Sequence, residues 1–592
     1  MRLNYLDVLK CLAIIAVVLY HSGYLTYGYL GVDLFLVING YLITKGLNRK
    51  ILTAPATEAT NTINYLSFEV SRFVRLLPVL LVAGLVCMVL GYFLMLPDDY
   101  ENLSQSVIAT NFFGNNILAA ITTANYWDVV NEYKPLMHTW YVGVVMQFYI
   151  VYPILFYIAR LDKKKPQRTL LILISALALL SLLVYFITTD NAQRFYYLPS
   201  RFFEFAAGGV IALTWKQHER IKIYNLVFAY ICYVLLIALM AVNEAFIPSN
   251  IRLVVVVALS MVLITSCAEL ENGLTGNRII AKIGAASYSI FLWHQVLLAF
   301  YRYSISSEFT VINYALFLVL MGILSWVTYQ YIEQKTSKWL KEKRQKNIFY
   351  TSLIVVFLVL NAFAAYIYLH AGVVRDVPEL YISKSDTRRG LHNEYNDKIY
   401  QLDKSFSTNK RHWLVIGNSF GRDFANVILE SPIADSVEVS YIEIAKYKES
   451  KYNERFSNAN CIFVSSRGLE EQNVMDIEKK CKENYFPVEK IVIVGEKVFG
   501  ESNGKFYVHR NSPDYFSQRT NVTDKVLIKN REFSSKYGDR FLDLLSLVID
   551  NKETVPVFTP DHHFISQDCK HFSKGGAVYF GQLIDWNKFL KW

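Results

Sequence analysis

The 592-residue chain is longer than one ordinary hydrophobic core accommodates, so at least two structural units are expected. Hydrophobic residues make up 53% of the chain and charged residues 19%, a balance that excludes a wholly soluble protein. The net charge of +10 does not indicate a nucleic-acid partner, because lysine and arginine fall mostly in short segments between apolar stretches. A lipid bilayer is therefore the expected surrounding.

Apolar runs long enough to cross a bilayer recur along the first 370 residues and number about eleven. The first could be mistaken for a signal peptide, but further runs follow it directly. The sequence predicts a polytopic α-helical membrane domain over residues 1–345 and an additional transmembrane helix at 346–370. The predicted spans lie near residues 5–22, 30–46, 76–96, 137–159, 169–189, 199–215, 224–243, 251–268, 283–303, 310–332 and 347–370.

The loops between these runs alternate in charge. Short cytoplasmic loops collect lysine and arginine, which predicts a cytoplasmic N-terminus. An odd number of spans then places everything after His370 outside, so the predicted location is the inner (cytoplasmic) membrane with a periplasmic or extracellular C-terminal domain. The basic segments are 45–75, 160–168, 216–222 and 335–346, and the acidic segment is 98–132.

The first predicted span carries Lys10 and His21, eleven residues apart. At about 100° per residue they share one helix face, roughly 16 Å apart. A histidine within a membrane is costly unless it faces a cavity or a partner, so His21 is a functional candidate. A polar packing contact near the outer interface is the alternative.

The character of the sequence changes at about Ala371, where hydropathy falls and short β-rich runs alternate with helix-like segments. A polar extracytoplasmic connector is predicted over residues 371–410. The strand-like runs at 412–416, 461–464 and 491–494 then predict a soluble α/β domain with a parallel sheet over residues 411–592.

Seven cysteines are scattered without a CxxC pair or a Cys/His cluster, so no metal site and no disulfide framework are predicted. Cys461, Cys481 and Cys569 could form one disulfide if the C-terminal part faces an oxidising compartment. No permanently bound cofactor is expected.

Ser419 follows a strand-like run and a tight turn, with a helix beginning at about Arg422. Such a turn exposes the hydroxyl and places helix N-terminal N–H groups near a developing oxyanion. Far downstream, Asp568 precedes His571 by three residues and could orient its imidazole, which would complete a Ser-His-Asp triad. The alternative is a degenerate, carbohydrate-binding remnant.

Ordered motifs along most of the first 340 residues resemble the acyltransferase family 3 of bacterial membrane proteins. This resemblance implies transfer of an acyl group, usually acetyl from acetyl-CoA, to a hydroxyl of an extracytoplasmic carbohydrate. His21 would be the base. The matching positions are 6–7, Lys10, His21, 31–35, 40–43, 72–78, 138–140, 147–149, Arg201, Glu204, 287–289 and 293–294.

Lys10, with Arg72 and Arg75, could hold the phosphates of the acyl-CoA donor, because clustered cations complement phosphate. Arg72 and Arg75 could equally be positive-inside signals. Lys10 stands where an arginine is usual, and Val145 and Met146 stand where the family often carries acidic residues.

Other residues of the matching motifs are candidates for the membrane site: Asp7, Asp33, His138, Trp140, Arg201 and Glu204. Arg201 and Glu204, three apart on a helix, could simply pair with each other. His138 and His294 could be hydrogen-bonded packing residues at helix ends.

The blocks at 417–419 and 568–571 together resemble the SGNH hydrolase and acyltransferase superfamily, with Asn418 in place of the usual aspartate. Asn503 is the candidate oxyanion donor. The fusion of both parts resembles acyltransferases that O-acetylate cell-surface glycans. It implies acyl-CoA as donor and O-antigen, peptidoglycan, capsule or exopolysaccharide as acceptor.

Two other classes of function fit parts of the pattern. Many spans with buried polar residues also describe a transporter of lipid-linked glycan, here with a glycan-binding or esterase appendage, although no internal inverted repeat stands out. A pure esterase with a membrane anchor is the other class, but about eleven spans are far more than an anchor needs.

Overall fold

The structure is a computed structural model that describes residues 4–52, 65–123, 131–215, 222–243, 245–267, 277–339, 343–388 and 391–591. Parts of the predicted basic and acidic loops, including residues 216–221 and Asp128, lie outside these ranges. The chain divides into two compact units. They are Met1–Gly91 with Leu103–Tyr366, and Tyr92–Asn102 with Ile367–Trp592.

The first unit is helical, and each of the apolar runs predicted from the sequence falls on a helix or, at 283–303, on a helix pair. The helices up to residue 369 are α1 (Asn4–His21), α2 (Gly31–Leu47), α3 (Tyr65–Leu94), α4 (Pro97–Asn111), α5 (Asn115–Thr123), α6 (Trp140–Arg160), α7 (Pro166–Ile187), α8 (Asn191–Tyr196), α9 (Leu198–Thr214), α10 (Lys222–Ala241), α11 (Ser249–Cys267), α12 (Arg278–Ala285), α13 (Ser287–Ser304), α14 (Val311–Thr328), α15 (Gln334–Trp339) and α16 (Lys343–Leu369).

Within the described residues, seven helices are long and apolar enough to cross a membrane, or eight if the bent pair α12 and α13 is one span. The expected count of about eleven is therefore not confirmed. Helices α1 and α9 do not meet the criterion. Helix α9 has only 17 residues, and each of the two helices carries buried charged residues, such as Asp7 in α1 and Arg201 in α9.

Glycines bring the central helices of this unit into backbone contact. A Cβ on Gly40 of α2 would lie 1.9 Å from the carbonyl oxygen of Phe205 in α9, and one on Gly208 would lie 2.0 Å from that of Val37. Small residues of this kind let membrane helices approach closely. Helix α12 likewise meets α1 at Gly284, where a Cβ would lie 1.6 Å from the Asp7 carbonyl oxygen.

The second unit contains a five-stranded parallel sheet of order β2-β1-β3-β4-β6, which confirms the predicted parallel α/β architecture, and a two-stranded antiparallel sheet of β5 and β7. The strands are β1 (Arg411–Gly417), β2 (Val437–Glu443), β3 (Cys461–Ser465), β4 (Ile491–Val494), β5 (Arg519–Asn521), β6 (Phe541–Leu542) and β7 (Thr554–Pro556). The helices are α17 (Leu391–Asp397), α18 (Ser419–Leu429), α19 (Asn453–Asn458), α20 (Glu471–Glu483), α21 (Gly504–Tyr507), α22 (Asp524–Tyr537), α23 (Lys574–Leu583) and α24 (Asn587–Leu590).

Both faces of the parallel sheet are covered, so its strands are continuous apolar runs. Alternate residues of β1 enter different cores: Trp413 and Val415 pack on one side, Leu414 and Ile416 on the other. The chain leaves β1 for β2 on one side and later returns to β3 on the other. The carboxyl end of β1 is therefore a topological switch point, where open α/β sheets commonly bind ligands.

The segment at 371–410 contributes buried residues to the second unit. Val377 forms a β-bridge with Ile382, and Leu380 packs in a cluster with Phe558 and Phe564.

The three cysteines of this unit, Cys461, Cys481 and Cys569, are buried and each is a free thiol.

Candidate active sites

A cavity of about 350 Å³ in the helical unit is lined by the three cations predicted for the acyl-CoA phosphates, Lys10 of α1 and Arg72 and Arg75 of α3. Arg72 and Arg75 lie three residues apart and so share one face of α3. Asp7 Oδ1 accepts a hydrogen bond from Lys10 Nζ at 3.1 Å, one turn earlier on the same helix. The arrangement supplies clustered positive charge that suits multiply charged phosphate.

Glu333 lines the same cavity and was not singled out from the sequence. It accepts a hydrogen bond from the Ser289 hydroxyl and ends a π-helical turn, Tyr329–Glu333. Single π turns are rare and are frequent at functional sites. Val145 lines this cavity too, and Glu333 places a carboxylate there from another helix. A glutamate at the end of a predicted span was the sequence signal that could have found it.

A second cavity, of about 880 Å³, lies at the other end of α1 and is lined by His21, His138 and Trp140. The ring of His21 is 5.3 Å from that of His294, which is 5.4 Å from that of His138. Arg302 Nη2 donates a hydrogen bond to the carbonyl oxygen of His21 at 2.5 Å. Lys10 and His21, expected on one helix face, thus line different cavities.

A layer of aromatic rings lies between the two cavities and contacts both. Phe291 and Tyr141 line the cationic cavity, and their ring centroids are 5.3 Å apart. On its other side Phe291 contacts His138 at 5.0 Å and His294 at 5.6 Å. A continuous set of ring contacts therefore joins the cavity of Lys10 to the cavity of His21.

Asp33, Arg201 and Glu204 form a fully buried charge cluster between α2 and α9. Arg201 Nη1 lies 2.7 Å from Asp33 Oδ1 and 2.9 Å from Glu204 Oε1. The pairing of Arg201 with Glu204, weighed from their spacing, is thus present, and Asp33 is a further member. Trp140 lies 5.9 Å from the Arg201 guanidinium and connects this cluster to the second cavity.

In the α/β unit the structure brings Ser419, His571 and Asp568 together. His571 Nε2 lies 3.0 Å from Ser419 Oγ, and His571 Nδ1 lies 2.7 Å from Asp568 Oδ2. Because a carboxylate faces Nδ1, that nitrogen carries the proton and Nε2 is free to accept the serine proton. The arrangement can activate a serine nucleophile for acyl transfer.

The Asp568 carboxylate is held in its ionised form. Burial raises its pKa, but the His571 imidazole and the hydrogen bonds to Asp568 outweigh burial and hold the pKa below its ordinary value. Asp568 Oδ1 accepts from the backbone N–H groups of His571, at 2.7 Å, and Lys570, at 3.0 Å. These hydrogen bonds hold Asp568 on the same loop as His571, whose imidazole it orients.

Asn418 forms the turn that leads from β1 into the helix of Ser419. Asn418 is the N-cap of α18, and its Oδ1 accepts from the backbone N–H of Phe420 at 3.1 Å and of Arg467 at 3.2 Å. The helix begins at Ser419 rather than near Arg422 as expected. The N–H of Ser419, at the first helical position, has no intrahelical acceptor and can donate to an oxyanion.

Asn503, the predicted oxyanion donor, is placed differently. Its Nδ2 donates to the carbonyl oxygens of Ser566 and Gln567, both at 2.7 Å, and its Oδ1 accepts from the Cys569 thiol at 3.3 Å. Both amide protons are used there, so Asn503 braces the loop that carries Asp568 and is not an oxyanion donor.

Residues 3–330 match the family model described as an acyltransferase domain. This chain belongs to acyltransferase family 3. The family resemblance of the membrane part is thereby confirmed, and the matched region contains the residues that line both cavities of the helical unit except Glu333.

Relatives of this family member occur in Staphylococcus aureus. O-acetyltransferase OatA of strain NCTC 8325 / PS 47 is 26% identical over 356 residues, which are 56% of this chain and 57% of the relative. A protein of strain COL with the provisional name O-acetyltransferase is 27% identical over 349 residues, 55% of this chain and 56% of its own. The chain thus spans about half the length of the curated relatives it matches. No solved structure matches it.

Proposed function

We propose that this chain is a membrane O-acetyltransferase that moves an acetyl group from acyl-CoA on the cytoplasmic side to hydroxyl groups of an extracytoplasmic surface polysaccharide. Family membership and the names of the relatives support the reaction class. The observation that carries the proposal is the placement of Lys10 and His21 in two cavities at opposite ends of α1.

The donor binds at the cationic cavity in this proposal. Lys10, Arg72 and Arg75 hold the CoA phosphates, so the thioester end of the donor points along α1 towards the ring layer at Phe291. His21 takes a proton from the hydroxyl of a carrier alcohol in the membrane as that hydroxyl attacks the thioester carbonyl. The C–S bond breaks, the acetyl group passes to the hydroxyl oxygen, and CoA leaves as the thiol with that proton.

Ser419 completes the transfer in the soluble domain, which we take to resemble SGNH enzymes. Ser419 Oγ attacks the carbonyl of the acetyl ester on the carrier while His571 Nε2 takes the serine proton and returns it to the carrier oxygen, which leaves as the free alcohol. A sugar hydroxyl then attacks the acyl-serine, gives its proton to His571, and leaves as the acetyl ester while Ser419 regains a proton. Asp568 stabilises the imidazolium in both steps.

The orientation and the acceptor class belong to the proposal as well. In this proposal the N-terminus lies in the cytoplasm and the α/β unit in the periplasm or outside the cell, an orientation that the basic segments support. The acceptor is then a glycan that these spaces contain: O-antigen, peptidoglycan, capsule or exopolysaccharide. Its hydroxyls reach Ser419 without crossing the membrane.

The test compares base-labile acetate on surface polysaccharide in cells that make the unaltered chain or the His21→Ala or Ser419→Ala variant. Both variants are expected to lose the acetate, because each removes a reactive group of one site. His509→Ala, which changes an exposed histidine, and Ser457→Ala, which changes an exposed serine, are matched controls. Protein in the membrane fraction is quantified in parallel.

Unchanged acetate in both variants would refute the acyltransferase proposal. If the acetate is lost with Ser419→Ala but not with His21→Ala, His21 takes no part in the reaction. The amount of surface glycan is measured in the same cells, since a transporter of lipid-linked glycan would change that amount and leave the acetate per sugar constant.

A further inference from the structure

A buried ion pair lies beside the triad and takes no part in the steps above. Lys497 Nζ is 2.5 Å from Asp423 Oδ2, and neither side chain is more than 2% exposed. Asp423 follows Ser419 by one turn of α18, and Lys497 follows β4. Burying two charges costs several kcal/mol per ion before their attraction is counted, so such a pair is weak evidence for a role in stability alone.

The pair holds both peptide groups that flank His571. Lys497 Nζ donates a hydrogen bond to the carbonyl oxygen of Lys570 at 2.8 Å, and Asp423 Oδ2 accepts one from the backbone N–H of Phe572 at 3.3 Å. The direction of the His571 side chain is set by the backbone between these two contacts. One buried pair therefore fixes the histidine loop to the helix that begins at Ser419.

The ammonium of Lys497 also lies 3.8 Å from the ring centroid of Phe420, the residue after Ser419. A cation over an aromatic face is attracted by the ring quadrupole, and most strongly when water is excluded. Lys497 thus contacts the chain next to the nucleophile as well as the chain next to the base.

Both charges of the pair lie beside the loop that carries His571. Burial raises the pKa of Asp423 and lowers the pKa of Lys497, and in each case the partner opposes the shift. Asp423 also interacts with His571 and Asp568. Other charged groups near the loop include Lys570, Arg467, which follows β3, and the carboxylates Asp99 and Glu501. As an intact pair, Asp423 and Lys497 add little net charge beside the imidazole.

We propose that Asp423 and Lys497 are positioning residues of the Ser419 site: they hold the two peptide groups that flank His571 and cancel each other's charge beside its imidazole. This inference rests on the proposed role of Ser419. It assigns no contact with the substrate to either residue, so both act through His571.

The test measures kcat and KM as a function of pH for an activated acetyl ester, with the full chain in detergent. Asp423→Asn leaves an unpaired ammonium near His571, which disfavours the imidazolium and moves the acid limb of the kcat profile to lower pH. Lys497→Met leaves an unpaired carboxylate and moves the limb to higher pH. Each shift is expected to be on the order of one pH unit. In both variants kcat falls about tenfold or more while KM changes little.

A double variant and a conservative variant separate position from charge. Asp423→Asn combined with Lys497→Met removes both charges, so the limb returns to its original pH while kcat stays low. Lys497→Arg keeps the charge with different geometry, so the limb stays in place and kcat falls. Asp403→Asn, which breaks the Arg455 ion pair of 2.7 Å elsewhere in the domain, is the matched control and leaves the profile in place.

Two results would overturn the inference: single variants whose acid limb does not move, or limbs that move in the same direction. If the unaltered chain shows Ser419-dependent turnover and the variants show no opposed shifts, only this inference fails. If the unaltered chain shows no Ser419-dependent turnover, the proposed role of Ser419 fails and the inference fails with it.

Discussion

Ser419 Oγ lies 3.0 Å from Nε2 of His571, although 152 positions separate the two residues in the chain. The contact forms because β1 ends at the switch point of the parallel sheet and delivers Ser419 to the start of α18. The loop before α23 brings His571 to the same place, with Asp568 bound to its other nitrogen. The domain thus holds a serine hydroxyl, an imidazole and a carboxylate in one hydrogen-bonded line.

Asp568→Asn is expected to lower kcat for an activated acetyl ester by about 10³- to 10⁴-fold, because the amide no longer holds the imidazole in the required tautomer. Ser419→Ala is expected to lose this turnover entirely. Steady-state hydrolysis by the full chain in detergent measures both. Ser457→Ala serves as the control, and turnover that survives Ser419→Ala would show that another group is the nucleophile.

Arg201→Leu is expected to destabilise the helical unit by about 3–5 kcal/mol, because Asp33 and Glu204 would remain buried without their cation. Arg201→Lys is expected to recover part of the loss, since it keeps the charge but not the hydrogen bond from Nε to the Phe195 carbonyl oxygen. Thermal unfolding in detergent measures the effect. Arg278→Ala, at an exposed arginine, is the control, and an unchanged melting temperature for Arg201→Leu would contradict the structure.

Arg75→Ala is expected to raise KM for acetyl-CoA about tenfold, or about 1.4 kcal/mol, through loss of a phosphate contact. Turnover of a small acetyl ester at Ser419 should not change, because that substrate has no phosphates. Arg160→Ala removes an exposed arginine at the end of α6 and controls for general loss of basic charge. If KM for acetyl-CoA rises equally in Arg75→Ala and Arg160→Ala, Arg75 does not bind the donor and serves instead as a basic residue that orients the chain in the membrane.

Glu438→Gln is expected to lower the stability of the α/β unit by about 1–2 kcal/mol at neutral pH. Burial raises the Glu438 pKa, but hydrogen bonds from the backbone and hydroxyl groups of Thr408 and Ser407 lower it to about 2. Since the folded pKa lies below the unfolded value of about 4.3, the contribution is complete above pH 4.3 and is lost as the pH falls towards 2.

Melting temperatures of the full chain at pH 7 and at pH values between 4 and 2 measure this contribution. The difference in melting temperature between the unaltered chain and Glu438→Gln should disappear as the pH falls from 4 to 2. Glu471→Gln, at a glutamate paired with Lys536 on the surface, is the control and should show little difference at any pH. A difference independent of pH would show that the charge of Glu438 is not what stabilises the contact.

The sequence was sufficient for features with local signals. Ser419 was found from a strand and a turn, and Asp568 with His571 from a spacing of three, because each signal lies within a few residues. The apolar runs located the helices for the same reason. The count of about eleven spans is not confirmed: among the described residues seven helices, or eight with the bent pair, are long and apolar enough to cross a membrane.

Features that depend on distant pairing were missed. Asp423 and Lys497 are 74 positions apart, and neither stands out until the sheet brings β1 and β4 into one layer. Asn503 was assigned to the oxyanion because it follows a strand, but the competing acceptors at Ser566 and Gln567 are visible only in the fold. Glu333 joins the cationic cavity through helix packing.

The central claim is that the two sites act in series, and the acylation state of Ser419 tests it most directly. The full chain in sealed membrane vesicles that retain the carrier receives isotopically labelled acetyl-CoA without acceptor glycan, is quenched in acid, and is digested for mass spectrometry of the Ser419 peptide. The account predicts labelled acetyl on Ser419 in the unaltered chain and none in His21→Ala. Equal labelling of Ser419 in the His21→Ala variant would contradict it.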